Sequence, residues 1–193
     1  GEFTLHWLDD RARLRGLAEL AHEAVRAQGE DRRSAAEQRW WMRGDNADAR
    51  RRCDGVTVKA LEYPGLSRWL PGRAFKPDSW FHRFGIESAA RQAREGVRSA
   101  SAAVLICGSR GTESGWLTGG QAFQRFALKA TQLGIAHQPL SAPLEVERLR
   151  ADLLQRFGAS GEAPLLLARL GHANRPDPSV RRSVALVSTF LNS

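Results

Sequence analysis

The sequence predicts an α+β fold in which helices flank a sheet and one long, buried helix lies at the centre. Two apolar runs of strand length, Ala102–Cys107 and Pro164–Leu170, lie between turn residues, as is typical of strands buried on both faces. Between them, residues 114–133 carry large apolar side chains at helical spacing and end at Gly134, which predicts a helix with a wide apolar face. The 193 residues, 42% hydrophobic and 26% charged, have the composition of an ordinary folded protein.

The N-terminal part of the chain is predicted to be mainly helical. Apolar residues recur every three or four positions from Leu8 to Gln28, which indicates an amphipathic helix. A second helix is predicted over Asp31–Arg43. A polar connection over Gly44–Asp54 then leads to a short strand that contains Val56 and Val58, because these β-branched residues alternate with other side chains.

The remaining elements follow from prolines, glycines and short apolar runs. Residues 63–85 contain three prolines among large aromatic side chains, which predicts an ordered loop or lid, because proline interrupts regular structure while aromatic rings need burial. A short polar helix is predicted over Glu87–Arg98, an extended segment over Ile135–Leu140 and a helix over Leu144–Phe157. The tail from Asn174 ends in apolar residues, and we expect it to dock on a partner surface.

The net charge of +8 comes almost entirely from arginine, since the chain has only three lysines. A basic excess indicates an anionic partner such as nucleic acid, an anionic membrane or a phosphorylated cofactor. The excess is spread along the chain, and its densest cluster, Arg50–Arg52, has acidic neighbours. A basic nucleic-acid-binding module is therefore the alternative rather than the leading hypothesis. No apolar run is long enough to cross a membrane, so we expect no membrane partner.

The two cysteines and five histidines form no recognisable motif. Cys53 and Cys107 are far apart and lack CxxC spacing, so we predict free thiols, with Cys107 a small core residue. The histidines lack metal-ligand spacing, and we predict no metal site. No signal peptide precedes the first helix, which predicts a cytoplasmic protein.

No catalytic residue can be assigned from a sequence motif. The loop Gly108–Gly115 joins a predicted strand to a predicted helix but matches neither dinucleotide-binding nor P-loop spacing. We interpret it as a connection in which Ser114 caps the helix. An enzyme without a catalytic motif would take its chemistry from a bound cofactor.

Four segments occur in an order that resembles a known family. They are Gly115–Arg125 (GWLTGGQAFQR), Pro139–Val146 (PLSAPLEV), Arg169–Ala173 (RLGHA) and Pro178–Arg182 (PSVRR). Together they resemble the central helix, the following strands and the basic tail of FMN-dependent nitroreductases, and in particular the Acg-like, dormancy-associated actinobacterial branch. The resemblance extends from about Ala102 to the C-terminus, and it implies an α+β fold with a nitroreductase-like mixed sheet.

The resemblance also implies a cofactor site. The turn Pro139, Leu140 and Ser141 would offer backbone N–H groups to the FMN ring, where they would stabilise negative charge on the reduced form. Arg181 and Arg182 match the basic position that binds the FMN phosphate, for which guanidinium groups are well suited. The alternative is that these two arginines are a solvated surface cluster. NADPH or NADH is the implied reductant.

Two departures from the family affect the expected function. The Arg-x-Ser-x-Arg element near the family's N-terminus has no counterpart here, and Ser141-Ala142 stands where relatives often have Glu-Gly. Gly1–Phe3 resembles a cloning scar, which leaves residues 4–193 as a single nitroreductase-like domain. We therefore expect the C-terminal portion of a longer member, with a flavin site completed by a homodimer or by a missing N-terminal half. The protein is then either an NAD(P)H-dependent oxidoreductase or a flavin-sequestering relative with little turnover.

Overall fold

The chain divides into two units, and the first of them contains a four-stranded sheet. The computed structural model describes residues 3–43, 46–57, 80–108, 112–174 and 182–189. The two units are residues 1–30 with 86–175, and residues 31–85 with 176–193. The expectation of a single domain over residues 4–193 stays a prediction.

The described residues form six strands and eight helices, which alternate irregularly along the chain. The strands are β1 (Phe3–Leu8), β2 (Met42–Arg43), β3 (Val56–Thr57), β4 (Ala102–Gly108), β5 (Ala136–Pro139) and β6 (Ala163–Gly171). The helices are α1 (Arg11–Glu30), α2 (Arg32–Trp41), α3 (Asn46–Arg52), α4 (Trp80–Ser99), α5 (Glu113–Gln132), α6 (Ala142–Glu145), α7 (Glu147–Phe157) and α8 (Val184–Val187). None of these helices is long and apolar enough to cross a membrane.

The sheet of the first unit has the strand order β1-β4-β6-β5, and every described pair in it is antiparallel. The two inner strands, β4 and β6, are the apolar runs that the sequence predicts to be buried, and residues 103–108 of β4 are all buried. The predicted α+β class is confirmed. The parallel pair among the described residues, β2 with β3, forms a separate ladder in the second unit.

One face of the sheet packs against α1, α6 and α7 and holds the larger apolar core. The predicted first helix is confirmed as α1, but it begins at Arg11, because Leu8 is the last residue of β1. Sequence patterning missed β1, and Phe3, assigned to a cloning scar, pairs with Gly108 on β4. The largest side chains that are fully buried in this core are Leu8, Leu14, Leu17, Leu105, Leu153, Leu167 and Val97.

The opposite face of the sheet packs against α5, whose predicted bounds are confirmed to within one residue. A Cβ added at Gly119 would lie 2.6 Å from Leu165 Cδ1, so the helix backbone approaches β6 closely. The hydroxyl of Thr112, rather than Ser114, caps the helix by accepting a hydrogen bond from Gly115 N–H at 3.2 Å. Much of the apolar stripe of α5 is exposed rather than buried, since Leu117 is 74% exposed.

Helix α4 is longer than the polar helix predicted over residues 87–98. It begins at Trp80, so residues 80–85 of the predicted loop or lid are helical, and residues 63–79 lie outside the described part of the chain. Helix α7 ends where predicted, at Gly158, which adopts a left-handed conformation with φ of +69°. Glycine suits this position because it has no Cβ to clash with the carbonyl that follows.

The second unit contains α2, β2, α3 and β3. Asp31 caps α2, and the hydrogen bond from Ser34 N–H lowers the pKa of its carboxyl. The predicted polar connection over Gly44–Asp54 is corrected, because residues 46–52 form α3. This helix buries only Ala49 among its described side chains, so it lacks the apolar periodicity that would reveal it in the sequence. The predicted strand is confirmed at Val56, whereas Val58 lies outside the described residues.

Candidate functional site

The predicted flavin-contacting turn joins the edge strand β5 to helix α6. Pro139 is the last residue of β5, and Ser141 stands at the start of α6 with φ of −78° and ψ of −36°. Between them, Leu140 N–H donates to the carbonyl of Leu167 at 2.8 Å. This bond extends the pairing of β5 with β6 by one residue and fixes the direction in which the turn leaves the sheet.

The hydrogen bonds of the turn determine which N–H groups a ligand could use. Proline has no N–H, and Leu140 N–H is already donated to the sheet. Among the described hydrogen bonds, none uses the N–H of Ser141, although its carbonyl accepts from Leu144 and Glu145. Ser141 is also exposed. The turn therefore fits a ligand that needs one backbone donor, not a series of them.

A half-buried cation next to this turn was missed by sequence reasoning. Arg169, on β6, donates through Nε to the side-chain oxygen of Gln138 on β5 at 2.8 Å, and its Nη1 donates to the carbonyl of Gly96. Burial lowers the pKa of this guanidinium. The signal in the sequence is a single charged residue inside an apolar strand. Because its donors are committed to protein acceptors, we assign Arg169 a structural role in holding β5 against β6.

The predicted phosphate-binding arginines belong to the second unit. Arg181 lies outside the described residues. Arg182 is exposed, and its Nε donates to the carbonyl of Cys53 at 3.2 Å. Its Nη2 lies 3.8 Å from a carboxylate oxygen of Asp54. These described contacts hold the guanidinium through Nε and Nη2, and half of the side chain is exposed, an arrangement that fits an added anion.

The basic cluster Arg50–Arg52 forms the last turn of α3. Arg51 and Arg52 both contact the carboxylate of Asp48, at 3.1 and 3.3 Å. The pKa of Asp48 is lowered, because the hydrogen bonds and charges of these two arginines outweigh the opposing effect of desolvation. Two cations of the cluster therefore share an acidic partner, and the described arginines give the nucleic-acid alternative no specific support.

The fold brings together a second group of reactive side chains, which no sequence motif connects. His6 on β1, Cys107 on β4 and Glu162, just before β6, place one potential ligand atom each within 4.8 Å of the others. Burial, with a smaller contribution from the charge of Glu162, raises the pKa of Cys107 to about 12. The positions are far apart along the chain, so only the pairing of β1 and β6 with β4 reveals the group.

Cys107 is expected to resist alkylation in the folded protein. The thiolate is the reactive form of cysteine, and Cys107 is fully buried with a pKa of about 12. Cys53 is only half-buried and should react first with iodoacetamide at neutral pH, as peptide mass mapping would show. Both should react in denaturant, and modification of native Cys107 ahead of Cys53 would contradict the prediction.

Because the Cys107 thiol loses its proton near pH 9 in the unfolded chain but only near pH 12 in the folded protein, alkaline pH should favour unfolding.

The comparisons with known proteins support the fold. No protein-family model matches the chain, and no curated protein matches it. The chain is similar to the crystal structure of the FMN-dependent nitroreductase NfnB from Mycobacterium smegmatis in complex with NADPH. That match has a TM-score of 0.52 and 16% sequence identity, and it covers 99% of this chain and 79% of the other. At this identity the likeness concerns architecture, and the chain therefore has a nitroreductase-like α+β fold.

Proposed function

We propose that this chain is an FMN-binding, nitroreductase-like protein. The observation that carries the proposal is its structural likeness, along 99% of its length, to an FMN-dependent nitroreductase bound to NADPH. The segments that resemble the family, and that follow one another in the family's order along the sequence, support it independently, because they include the turn at Pro139–Ser141 and the basic pair at Arg181 and Arg182. We assign the chain to the Acg-like branch on those segments alone.

In this proposal Ser141 contacts the flavin ring. Its N–H would donate to the polar edge of the ring, and FMN would supply hydride-transfer chemistry that no side chain of the turn can supply. Leu140 has a positioning role, because its bond to Leu167 fixes the backbone just before Ser141. A fixed donor stabilises charge without having to reorganise.

Arg181 and Arg182 are proposed to bind the FMN phosphate. The described contacts of Arg182 with Cys53 and Asp54 restrict its side chain, which reduces the entropy lost when an anion binds. A guanidinium can also make two parallel hydrogen bonds to phosphate, which lysine cannot.

Ser141-Ala142 follows the Pro-Leu pair, where relatives often have Glu-Gly. This difference favours slow turnover rather than rapid reduction of the flavin by NADPH or NADH. We therefore propose two versions of the function, a slow NAD(P)H-dependent oxidoreductase and a flavin-sequestering protein. Anaerobic addition of NADPH to the FMN-loaded protein separates them. Bleaching of the flavin absorbance indicates the oxidoreductase, and persistence of the colour indicates sequestration.

We further propose that the protein is cytoplasmic and that its flavin site needs a second copy of the chain. Helix α5 supports a second copy, because large apolar side chains on it are exposed and would be covered by a partner. These are Trp116, Leu117 and Leu128, together with Leu133 just after the helix end. Sedimentation velocity with and without FMN would measure the oligomeric state.

Replacing Ser141 with proline should weaken FMN binding about 10-fold, because the change removes the N–H and costs one hydrogen bond. The φ of −78° at this position lies within the range that a proline ring imposes, so the backbone should keep its shape. Binding is measured by quenching of FMN fluorescence. The loss should be larger for reduced FMN, since hydrogen bonds to charged groups are stronger.

Ser141→Ala is the matched control, because it removes the hydroxyl and keeps the N–H. We expect its affinity for FMN to equal that of the unaltered protein. Equal affinities of the proline and alanine variants would contradict the role of the Ser141 N–H. A protein that binds no FMN at all, even as an assembled dimer, would contradict the proposed function itself.

A further inference from the structure

We propose that His6, Cys107 and Glu162 form a Zn²⁺ site at one end of the sheet, separate from the proposed flavin-contacting turn. The three residues come from β1, from β4 and from the loop before β6. His6 lies opposite Leu105, two residues from Cys107 along β4. Opposed residues in antiparallel strands project from the same face, so the imidazole and the thiol are diagonal neighbours on that face.

The distances suit a shared ion. An imidazole nitrogen, the thiol Sγ and a carboxylate oxygen all lie within 4.8 Å of one another. Four-coordinate zinc, with bonds of about 2.0–2.3 Å, separates its ligand atoms by roughly 3.5 Å. Side-chain rotations that shift each ligand atom by about 1 Å would therefore bring the three atoms to coordination distance. The strands that carry these side chains would not have to move.

The contact between His6 and Glu162 is not fully explained as an ion pair. His6 Nε2 lies 2.8 Å from Glu162 Oε1, but the two atoms lack hydrogen-bond alignment, and Nε2 is buried without a hydrogen-bond partner among the described residues. A buried ring nitrogen without an aligned hydrogen bond is costly. Coordination to a cation would satisfy both this nitrogen and the carboxylate beside it.

The ligand chemistry selects the ion. Thiolate and imidazole favour zinc over Mg²⁺ or Ca²⁺, which prefer sets of oxygen ligands. Three protein ligands leave a fourth tetrahedral position for water. Glu162 and His6 remain partly exposed, at 31% and 18% of their side chains, so an ion can enter from their side. Binding displaces the thiol proton to solvent, which balances the charge.

Cobalt substitution tests the site directly. The whole chain, treated with chelator and titrated with Co²⁺, should develop a near-ultraviolet thiolate-to-cobalt absorption band that saturates at one ion per chain and is displaced by Zn²⁺. Cys107→Ser should abolish the band. Glu162→Gln and His6→Gln should weaken Zn²⁺ affinity by more than the roughly 10- to 100-fold that loss of an outer-shell partner costs. Mg²⁺ should not compete.

Two matched variants serve as controls. Cys53→Ser removes the other thiol. His22→Gln disrupts a histidine–glutamate pair in the same unit as His6, in which His22 Nε2 lies 3.5 Å from Glu87 Oε1 and no cysteine completes a group of described metal-ligand atoms. Both should bind Zn²⁺ as the unaltered protein does. Absence of the band, its persistence in Cys107→Ser, or its loss in Cys53→Ser would overturn the proposal. Because Glu162 is partly exposed, its variant tests the site even if Cys107→Ser folds poorly.

Discussion

Replacing Leu105 with alanine is expected to lower the free energy of unfolding by about 3–5 kcal/mol, the upper part of the range for large-to-small changes in protein cores. Leu105 is fully buried on the inner strand β4, where it lies opposite Leu167 on β6. Strands on both sides restrict how far the surroundings can collapse into the space left behind. Urea unfolding followed by circular dichroism would measure the loss.

Leu128→Ala on α5 is the matched control, since the chemical change is the same and only the burial differs. Leu128 is 61% exposed, and surface substitutions of this kind usually change stability by less than about 0.5 kcal/mol. The comparison is made at a protein concentration low enough to keep the chain monomeric. Equal losses from the two variants would contradict the assignment of Leu105 to the core.

The second large effect is expected at Asp54 in the second unit. Arg43 is nearly buried, with 6% of its side chain exposed, and its Nη2 lies 2.6 Å from Asp54 Oδ1. Its Nε donates to the same oxygen at 2.8 Å, while Nη1 donates to the carbonyl of Trp40 at 2.6 Å. Asp54→Asn removes the charge that compensates this guanidinium. Loss of one partner of a buried pair costs about 3–5 kcal/mol, measured here by urea unfolding and by proteolysis of residues 31–57.

Asp48→Asn provides the control within the same unit. The two aspartates are equally exposed, at 26% for Asp48 and 25% for Asp54, but the partners of Asp48 are arginines that are mostly in solvent. Exposed ion pairs contribute little to the free energy of unfolding, because water screens both charges. We expect a clearly smaller loss for Asp48→Asn. A loss as large as that of Asp54→Asn would show that burial of the guanidinium is not the cause.

Local sequence patterns correctly predicted the strands and helices that can be recognised from their own apolar residues and end signals. Strand β4 is apolar on both faces, β6 is apolar apart from Arg169, and a glycine follows within two residues of the end of α5 and of α7, so short windows of sequence are sufficient to predict them. The extent of burial of α5 was not predictable in the same way. An apolar stripe indicates that a helix has a face to cover, but it does not say whether the chain itself covers that face.

The candidate sites show the same limit. The family resemblance implied Ser141 as a flavin contact, but not that Leu140 N–H is committed to Leu167, because that bond depends on where β6 lies. His6 and Cys107 carry no shared motif, and only the register of β1 with β4 makes them neighbours. Strand pairing between distant segments is tertiary information, which residue spacing does not contain.

The pairing of β1 with β4 has a consequence for how the chain folds. It joins residues roughly a hundred positions apart, and closing a loop of that length costs about 4 kcal/mol of chain entropy. Strands β4, β5 and β6 lie within residues 102–171 and can associate at lower cost. During synthesis β1 leaves the ribosome before its partner β4, so its pairing edge stays open to mispairing until roughly a hundred further residues have emerged.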